Sequence, residues 1–417
     1  MAQTTTVQVK LEKMVHGGKA LARLDDGRVA LVGGGIPGEW VRVRLEPRSG
    51  VLQGEVEEVL EPHPERRDAS RHPGLDYSFI SGPHQLTLKQ QVVEDALSRG
   101  FDRDISVPQL VSAQHPWHYR NTVQPAAEQG ALGYREPGSH DLVTLDADPV
   151  AQEPINRVWQ QWLELATDKR RVKGVREVVF RCNDDGEVLL CLVASASARN
   201  YLDIAHALVR GGVTGVSYAE HDPRGRFRSG FERLAGARTV RQRYGRFEIN
   251  LSATSFAQPN PDAASMLYGE LEALAGEGDT VAELFAGSGV IGFHLARSFG
   301  QVIALELDKS SVARGQQDAE RLGLTNITFR RADARKADLP AADLICVDPP
   351  RAGLAKALRE KLISSSTDRL LYVSCDVATW ARDVAHFEAE GFRLVHLQPY
   401  DFYPQTHHIE MLSLLQR

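Results

Sequence analysis

Two hydrophobic rhythms run along the chain, and the change between them divides it. Over residues 6–60, apolar and polar positions alternate in short runs: TVQVKLEKM, ALARL, RVALV, EWVRVRL and GEVEEVL. Gly17-Gly18, Asp26-Gly27, Gly33-Gly34-Gly35 and Pro37-Gly38 separate them. A period of two broken by such turns predicts strands. So many short strands in one stretch predict a small barrel of the OB type. Residues 61–82 have no period and read as a linker or loop. Over 84–101 the period lengthens, with Leu86, Leu88, Val92, Val93, Ala96 and Leu97 on one face of a helix. Hairpins are expected in HYRNTVQPA and GALGYREPGSHDLVTL, and a helix over 151–166. Strands and helices then alternate over 171–250, through VREVVFR, EVLLCLV, IAHALVRG and VTGVSYAEH.

From Val281 the alternation becomes regular. VAELF, VIALEL, ITFRRAD, DLICVDPP, LLYVSCD, FRLVHLQPY and HIEMLSLL read as strands, with helices between most of them. This predicts an α/β, doubly wound, Rossmann-like sheet. Three domains follow: a barrel over 1–62, a linker loop and α+β central domain over 63–250, and the α/β domain over 251–417. Glu306, Asp333, Asp348 and Cys375 fall where strands end, which places four reactive side chains on one edge of one sheet. Cys375 stands where the run 370–374 gives way to a helix over 377–385, and a thiolate is favoured near a helix N-terminus.

Composition narrows the classes. The 417 residues are 42% hydrophobic and 25% charged, as in a soluble globular protein. No apolar run approaches the ~18 residues of a membrane span. The start MAQTTTVQVK lacks a basic segment followed by an apolar one, so no secretory signal is expected. Cys182, Cys191, Cys346 and Cys375 include no CxxC pair, which suggests neither a zinc knuckle nor a disulfide framework and fits the cytosol. Net charge is −6, yet residues 165–250 hold 16 Lys/Arg against 10 Asp/Glu, concentrated in DKRRVKGVR and from PRGRFRSGFER to RTVRQRYGR. Such a segment faces a polyanion or is simply a solvated charged face.

The chemistry begins at Glu283-Leu-Phe-Ala-Gly-Ser-Gly289, after the first strand of the regular region. Glycines there let a ligand approach the backbone. The third glycine of the dinucleotide fingerprint is missing, so pyrophosphate binding is not favoured. Glu306, at the end of the next strand, can accept both ribose hydroxyls of a nucleoside, and Asp333 can accept from an adenine amino group. That arrangement suits S-adenosylmethionine. Asp348-Pro349-Pro350 is followed by Arg351, not by an aromatic residue that would stack on a base, which speaks against N-methylation and leaves carbon chemistry. Uracil C5 is a poor nucleophile until a thiolate adds at C6. After methyl transfer a base must remove the C5 proton before the thiolate can leave. Cys375 supplies the thiol, and Glu410 in PQTHHIEML supplies a carboxylate.

The motif series SFAQPN (255–260), ELFAGSG (283–289), DPPRAG (348–353), VSCDVATWARD (373–383) and QTHHIE (405–410) resembles that of the RNA uracil-C5 methyltransferases, which make 5-methyluridine. The N-terminal barrel resembles the TRAM domain of the branch acting on 23S rRNA. YRN (119–121) and GYRE (133–136) resemble the family's central RNA-binding domain. The resemblance implies Cys375 as nucleophile and Glu410 as base. It implies Gln258, Phe285, Gly287, Glu306, Asp333 and Asp348 around S-adenosylmethionine and the target base, with Asp348 also able to orient the uracil. Arg120 and Arg135 are the implied RNA contacts. Val290 stands where some relatives carry a polar cofactor contact.

Many relatives hold an iron–sulfur cluster through C-x5-C-x2-C and a distant fourth cysteine. Here Ser70, Asp76, Phe79 and Asp148 occupy those places. Oxygen ligands do not replace thiolates in such a site, so neither an iron–sulfur cluster nor another metal is expected. The expectation is a cytoplasmic, monomeric, S-adenosylmethionine-dependent enzyme acting on RNA, rRNA before tRNA, with no membrane partner. RNA cytosine-C5 methylation is the nearest alternative chemistry, and a non-catalytic RNA-binding protein the alternative class.

Overall fold

The computed structural model describes residues 5–48, 50–101, 103, 105–113, 115–223 and 230–417. Arg224, Arg226 and Arg228, part of the arginine-rich run, lie outside them. The chain forms two compact units: 1–70 with 75–114 and 334–417, and 71–74 with 115–333.

The first unit opens with a closed five-stranded barrel: β1 (Thr5–Met14), β2 (Ala20–Arg23), β3 (Val29–Gly33), β4 (Trp40–Arg48) and β5 (Val51–Glu61), joined in the order β1-β2-β3-β5-β4. Val9 and Leu11 point inward while Gln8, Lys10 and Glu12 face solvent, as the period of two requires. The period then slips: Met14, not Lys13, is the next buried residue. A bulge between Leu11 and Lys13, opposite Ala22 and Leu21, accounts for the extra residue. Buried Glu39 closes the barrel's exit. It accepts from the backbone N–H of Ile36 at 2.8 Å and of His63 at 3.0 Å, and takes both donors of Arg66 at 2.6 Å. Such a bidentate pair fixes direction as well as distance.

The loop after the barrel, where a cluster was not expected, is held by packing and hydrogen bonds. Leu75, Tyr77, Phe79 and Ile80 are buried. Gln85, inside the helix Gly82–Gly100, donates to the carbonyls of Tyr77 and Ile80 at 3.0 and 2.8 Å. That helix buries Leu88, Val92, Val93 and Leu97, and its fully buried Lys89 meets Asp401 at 2.7 Å. The unit's remaining strands form one sheet. Leu344–Val347 pairs in parallel with Arg369–Ser374, which pairs antiparallel with Glu410–Gln416. Arg393–Asp401 pairs antiparallel with Glu410–Gln416, and Val111–Ser112 runs parallel at its far side. The central strands are almost wholly buried, as expected of strands covered on both faces.

In the second unit, seven strands from Leu142–Thr144 to Glu232–Gly236 form a mostly antiparallel sheet, with Thr122–Val123 paired beside it. The helices Glu153–Leu165 and Leu202–Arg210 contribute Trp159, Trp162, Ile204 and Leu208 to a core with Phe180, Leu190 and Leu192. Strands Gly278–Leu284, Phe299–Glu306 and Ile327–Arg331 run parallel, with helices Pro261–Ala275, Val290–Leu295 and Lys309–Arg321 around them. Among the described residues no helix is long and apolar enough to cross a membrane, and no three His, Cys, Asp or Glu side chains are grouped to hold a metal ion.

Candidate active site

Cys375 is the single residue between a strand and a helix cap. Strand Arg369–Ser374 ends one residue before it, and Asp376 caps the helix Val377–Ala389 by accepting from Thr379 N at 2.8 Å. The other Asp376 oxygen meets His16 Nε2 at 3.1 Å. Against the cost of burial, these hydrogen bonds hold the Asp376 carboxyl at about 2. Cys375 is half-buried, while Cys182, Cys191 and Cys346 are fully buried. Burial, then the Glu410 and Asp348 carboxyls, push the Cys375 thiol up to about 12; the Arg351 guanidinium acts the other way. The helix N-terminus was expected to favour a thiolate. Burial and the neighbouring carboxyls outweigh it.

Glu410 opens the strand Glu410–Gln416 and is 1% exposed, with Oε1 lacking any hydrogen-bond partner. Burial, reinforced by Asp348, raises its carboxyl well above the ordinary range. Asp348 follows the strand Leu344–Val347, and burial pushes it up to about 7. Two carboxyls and a thiol are each held toward the neutral form, and Asp348 is the member whose value lies near neutral pH. Beside them a cavity of about 130 Å³ is lined by Cys375, Arg351, His16, Tyr77, His407 and His408, among others. Arg351 Nη2 lies 3.3 Å from His408 Nε2. Burial, then the charges of His407 and Arg351, drive His408 down to about 3, so it is neutral.

The loops carrying these groups are pinned. Asp383, fully buried, accepts from Leu354 N at 2.7 Å, Arg359 Nη1 at 2.6 Å and Tyr372 Oη at 2.9 Å. It thereby ties the 348–354 loop to the helix after Cys375. Gly353 has φ +69°, and a Cβ there would lie 2.7 Å from Asp383 Oδ2, so the turn needs glycine twice over. Ahead of Glu410, His407 donates its N–H to Asp76 Oδ1 at 3.0 Å and its ring Nδ1 meets Asp76 Oδ2. Gln405 N donates to Gln85 Oε1 at 2.9 Å. Asp76, one of the positions without a cluster cysteine, thus anchors the segment that leads to the buried carboxylate.

The second unit holds the nucleoside candidates. Gly287 N donates to Glu306 Oε2 at 2.9 Å, and Glu306 Oε1 accepts from Asp308 N at 2.7 Å. The glycine turn and the strand-end carboxylate are therefore one rigid cradle. Gly289 has φ +82°, and a Cβ there would lie 2.4 Å from the Phe329 ring. Phe285 adopts φ +62°, a left-handed conformation unusual for an aromatic residue and typical of functional turns. Asp333, half-buried, lies just beyond the strand Ile327–Arg331. Gln258 sits in a loop whose carbonyl accepts from Tyr244 Oη at 2.7 Å, two residues after Phe256, which is 77% exposed. Arg120 is half-buried; its charge bears on His72 and Tyr134, which surround buried Asp148. Arg135 is exposed and meets Glu128 at 2.8 Å.

Residues 236–338 and 329–417 match the tRNA (uracil-5-)-methyltransferase family. An uncharacterised RNA methyltransferase of Thermosynechococcus vestitus is 30% identical, over 99% of this chain and 98% of that protein. Another from Gloeobacter violaceus is 30% identical, over 100% and 98%. The crystal structure of the tRNA (uracil-54, C5)-methyltransferase of Pyrococcus abyssi, in complex with S-adenosyl-L-homocysteine, matches at a TM-score of 0.79 and 22% identity, covering 98% of this chain and 100% of that one.

The chain belongs to the tRNA (uracil-5-)-methyltransferase family. It is an RNA methyltransferase with the class I fold and an OB-like N-terminal barrel. Sequence reasoning missed several groups around the candidate site: Arg351 as the opposing charge, Asp383 as a clamp, and the pairs Asp76–His407 and His16–Asp376. Asp383 was visible only as the last letter of VSCDVATWARD. The two pairs join residues hundreds of positions apart and leave no local signal.

Proposed function

We propose that this enzyme methylates uridine C5 in large-subunit rRNA, using S-adenosylmethionine and a covalent adduct between Cys375 and uracil C6. The observation that carries the reading is the meeting of Cys375, Glu410 and Asp348 at the end of one sheet, with both carboxyls bearing on the thiol and Asp348 bearing on Glu410. The functional division we propose is a barrel over 1–62, a central RNA-binding domain over 63–250 and a methyltransferase domain over 251–417, acting as a cytoplasmic monomer.

The cofactor reading rests on the Gly287–Glu306 cradle, with Phe285, Gln258 and Asp333 as further contacts, and Asp348 is the further candidate that the family resemblance implies. When bound, S-adenosylmethionine supplies an electrophilic methyl group. The chain's own residues do the rest. The target uridine is turned out of its loop, since its edge is not reachable in a stack. Cys375 must lose its proton as substrate enters, with the ionised Asp348 as the acceptor, and of the charges acting on it Arg351 alone favours the thiolate. Sγ adds to C6, and the electron pair moves through C5 to O4. Asp348, able to carry a proton near pH 7, donates to or orients the uracil edge. C5 takes the methyl group. Glu410, which must be ionised by this step, then removes the C5 proton, the C5–C6 double bond reforms and Sγ leaves. A buried carboxylate is a stronger base than an exposed one, which suits this step.

The test is incubation with 5-fluorouridine-substituted rRNA and S-adenosylmethionine, then denaturing electrophoresis and peptide mapping. A base cannot remove fluorine from C5, so the enzyme stays attached. An adduct mapping to Cys375 and dependent on the cofactor is the expected result. No adduct with either rRNA or tRNA would sink the covalent mechanism. tRNA is the second reading, favoured by the matched family's description and by the substrate named for the P. abyssi relative; trapping on tRNA alone would move the substrate there.

A further inference from the structure

The second unit carries a charged surface that the methyl-transfer chemistry does not use. The turn between helix Glu153–Leu165 and strand Val175–Cys182 contains Lys169, Arg170, Arg171 and Lys173, and Arg176 follows on the strand. Asp168 is the one acid among them, and it pairs with Arg170. Arg171 is bound to Asp203 at 3.3 Å. Among the described residues Lys169, Lys173 and Arg176 have no acidic partner, and all three are exposed.

These cations line a concave surface. A cleft of about 780 Å³ runs past Lys169, Arg170, Lys173 and Arg176. A second of about 300 Å³ shares Ala127, Glu128 and Arg176 with it and continues to Arg135 and His221. The backbone that carries the cations is fixed. Lys173 O accepts from Tyr201 Oη at 2.9 Å, and Gly174 O accepts from Ser195 N at 3.1 Å. Next to the lining residue Gln129, Gly130 O accepts from Trp162 Nε1 at 3.0 Å. Unpaired cations on a rigid concave wall, in a chain of net charge −6, are what a backbone of phosphates recognises.

We propose that the two joined clefts are a track for the phosphate backbone of the RNA substrate, with Lys169, Lys173 and Arg176 as its principal contacts. The proposal rests on RNA being the substrate and adds where the strand runs outside the target base. Each contact releases counterions, so the logarithm of affinity falls with the logarithm of salt by about 0.7–0.9 per phosphate neutralised.

The experiment is fluorescence-anisotropy titration of an rRNA fragment, over a series of KCl concentrations, with the full-length protein and with a variant carrying Lys169→Gln, Lys173→Gln and Arg176→Gln. Thermal melting checks that the variant is folded, as exposed substitutions should leave it. The variant should bind more weakly at low salt, with a salt slope reduced by about 2. Equal affinity and equal slope would overturn the track and leave the clefts to another acidic partner. Fluorouridine trapping of the unaltered enzyme is scored separately. Trapping with an unchanged slope loses the track alone; a reduced slope without trapping loses the covalent chemistry and keeps the track.

Discussion

Cys375, just past the end of its strand, and Glu410, the first residue of the neighbouring strand, lie one residue beyond the last antiparallel pair, Ser374 with Met411. Residues opposite one another in such a ladder present their side chains to the same face. The register of the sheet therefore brings the proposed nucleophile and the proposed base to the end of adjacent strands.

That placement separates two chemical steps. Glu410→Gln keeps the thiol and removes the base, so addition and methyl transfer can proceed while release cannot. Turnover should fall by about 100- to 10,000-fold, the range for a lost general base. The variant should also accumulate a protein–RNA adduct on ordinary uridine, seen as a retarded band on a denaturing gel. Cys375→Ala should give neither turnover nor band. A Glu410→Gln variant that turns over at the normal rate would remove Glu410 from the mechanism.

The thiol's charge state can be read without RNA. Its other cysteines being fully buried, the native protein should be alkylated by iodoacetamide at Cys375 alone. Asp348 opposes the thiolate and is ionised at pH 8, so Asp348→Asn should speed alkylation there. Arg351 favours the thiolate, so Arg351→Ala should slow it. A change of about tenfold in each direction corresponds to about 1.4 kcal/mol between the protonation states. Rates that move in the same direction for both variants would contradict the electrostatic picture.

The sequence made the elements legible where one period dominated. The barrel's alternation and the β/α alternation after Val281 translate directly into strands and helices, except where the bulge after Leu11 shifts the phase. Cys375 and Glu410 stand out as candidates in the sequence because the proposed chemistry is demanding. The state of the thiol does not. It depends on the sum of burial, three carboxyls (Glu410, Asp348 and Asp376) and one guanidinium, which a helix-capping argument does not add up. Asp76 with His407, and Lys89 with Asp401, were hidden because partners more than 300 positions apart share no local pattern. The interleaving of 75–114 with 334–417 in one compact unit has the same cause.

Glu306 offers a test confined to the second unit. Its carboxylate already accepts from Gly287 N and Asp308 N, which fixes its direction and leaves acceptor capacity for ribose hydroxyls. Hydrogen bonds to a charged group contribute about 1.5–3 kcal/mol each. Glu306→Ala should therefore weaken S-adenosylmethionine binding by at least about tenfold in calorimetry. Loss of the Gly287 tie adds to the effect. Unchanged affinity would place the ribose elsewhere.

Asp348 also makes a prediction about stability. Its folded-state value of about 7 lies above the unfolded one near 4, so the folded state holds the proton more tightly. The stabilising contribution is complete below about pH 4 and disappears as pH rises through 7. At pH 8 the enzyme thus carries an ionised carboxylate in surroundings that disfavour it. Asp348→Asn keeps the shape and removes the charge. Its gain in urea-unfolding free energy should be larger at pH 8 than at pH 5 by about 2–3 kcal/mol. The same variant should be inactive if Asp348 donates to or orients the uracil. A gain that shrinks as pH rises would mean that the carboxyl is stabilised in its charged form, and the proton-carrying role given to it would fall with that result.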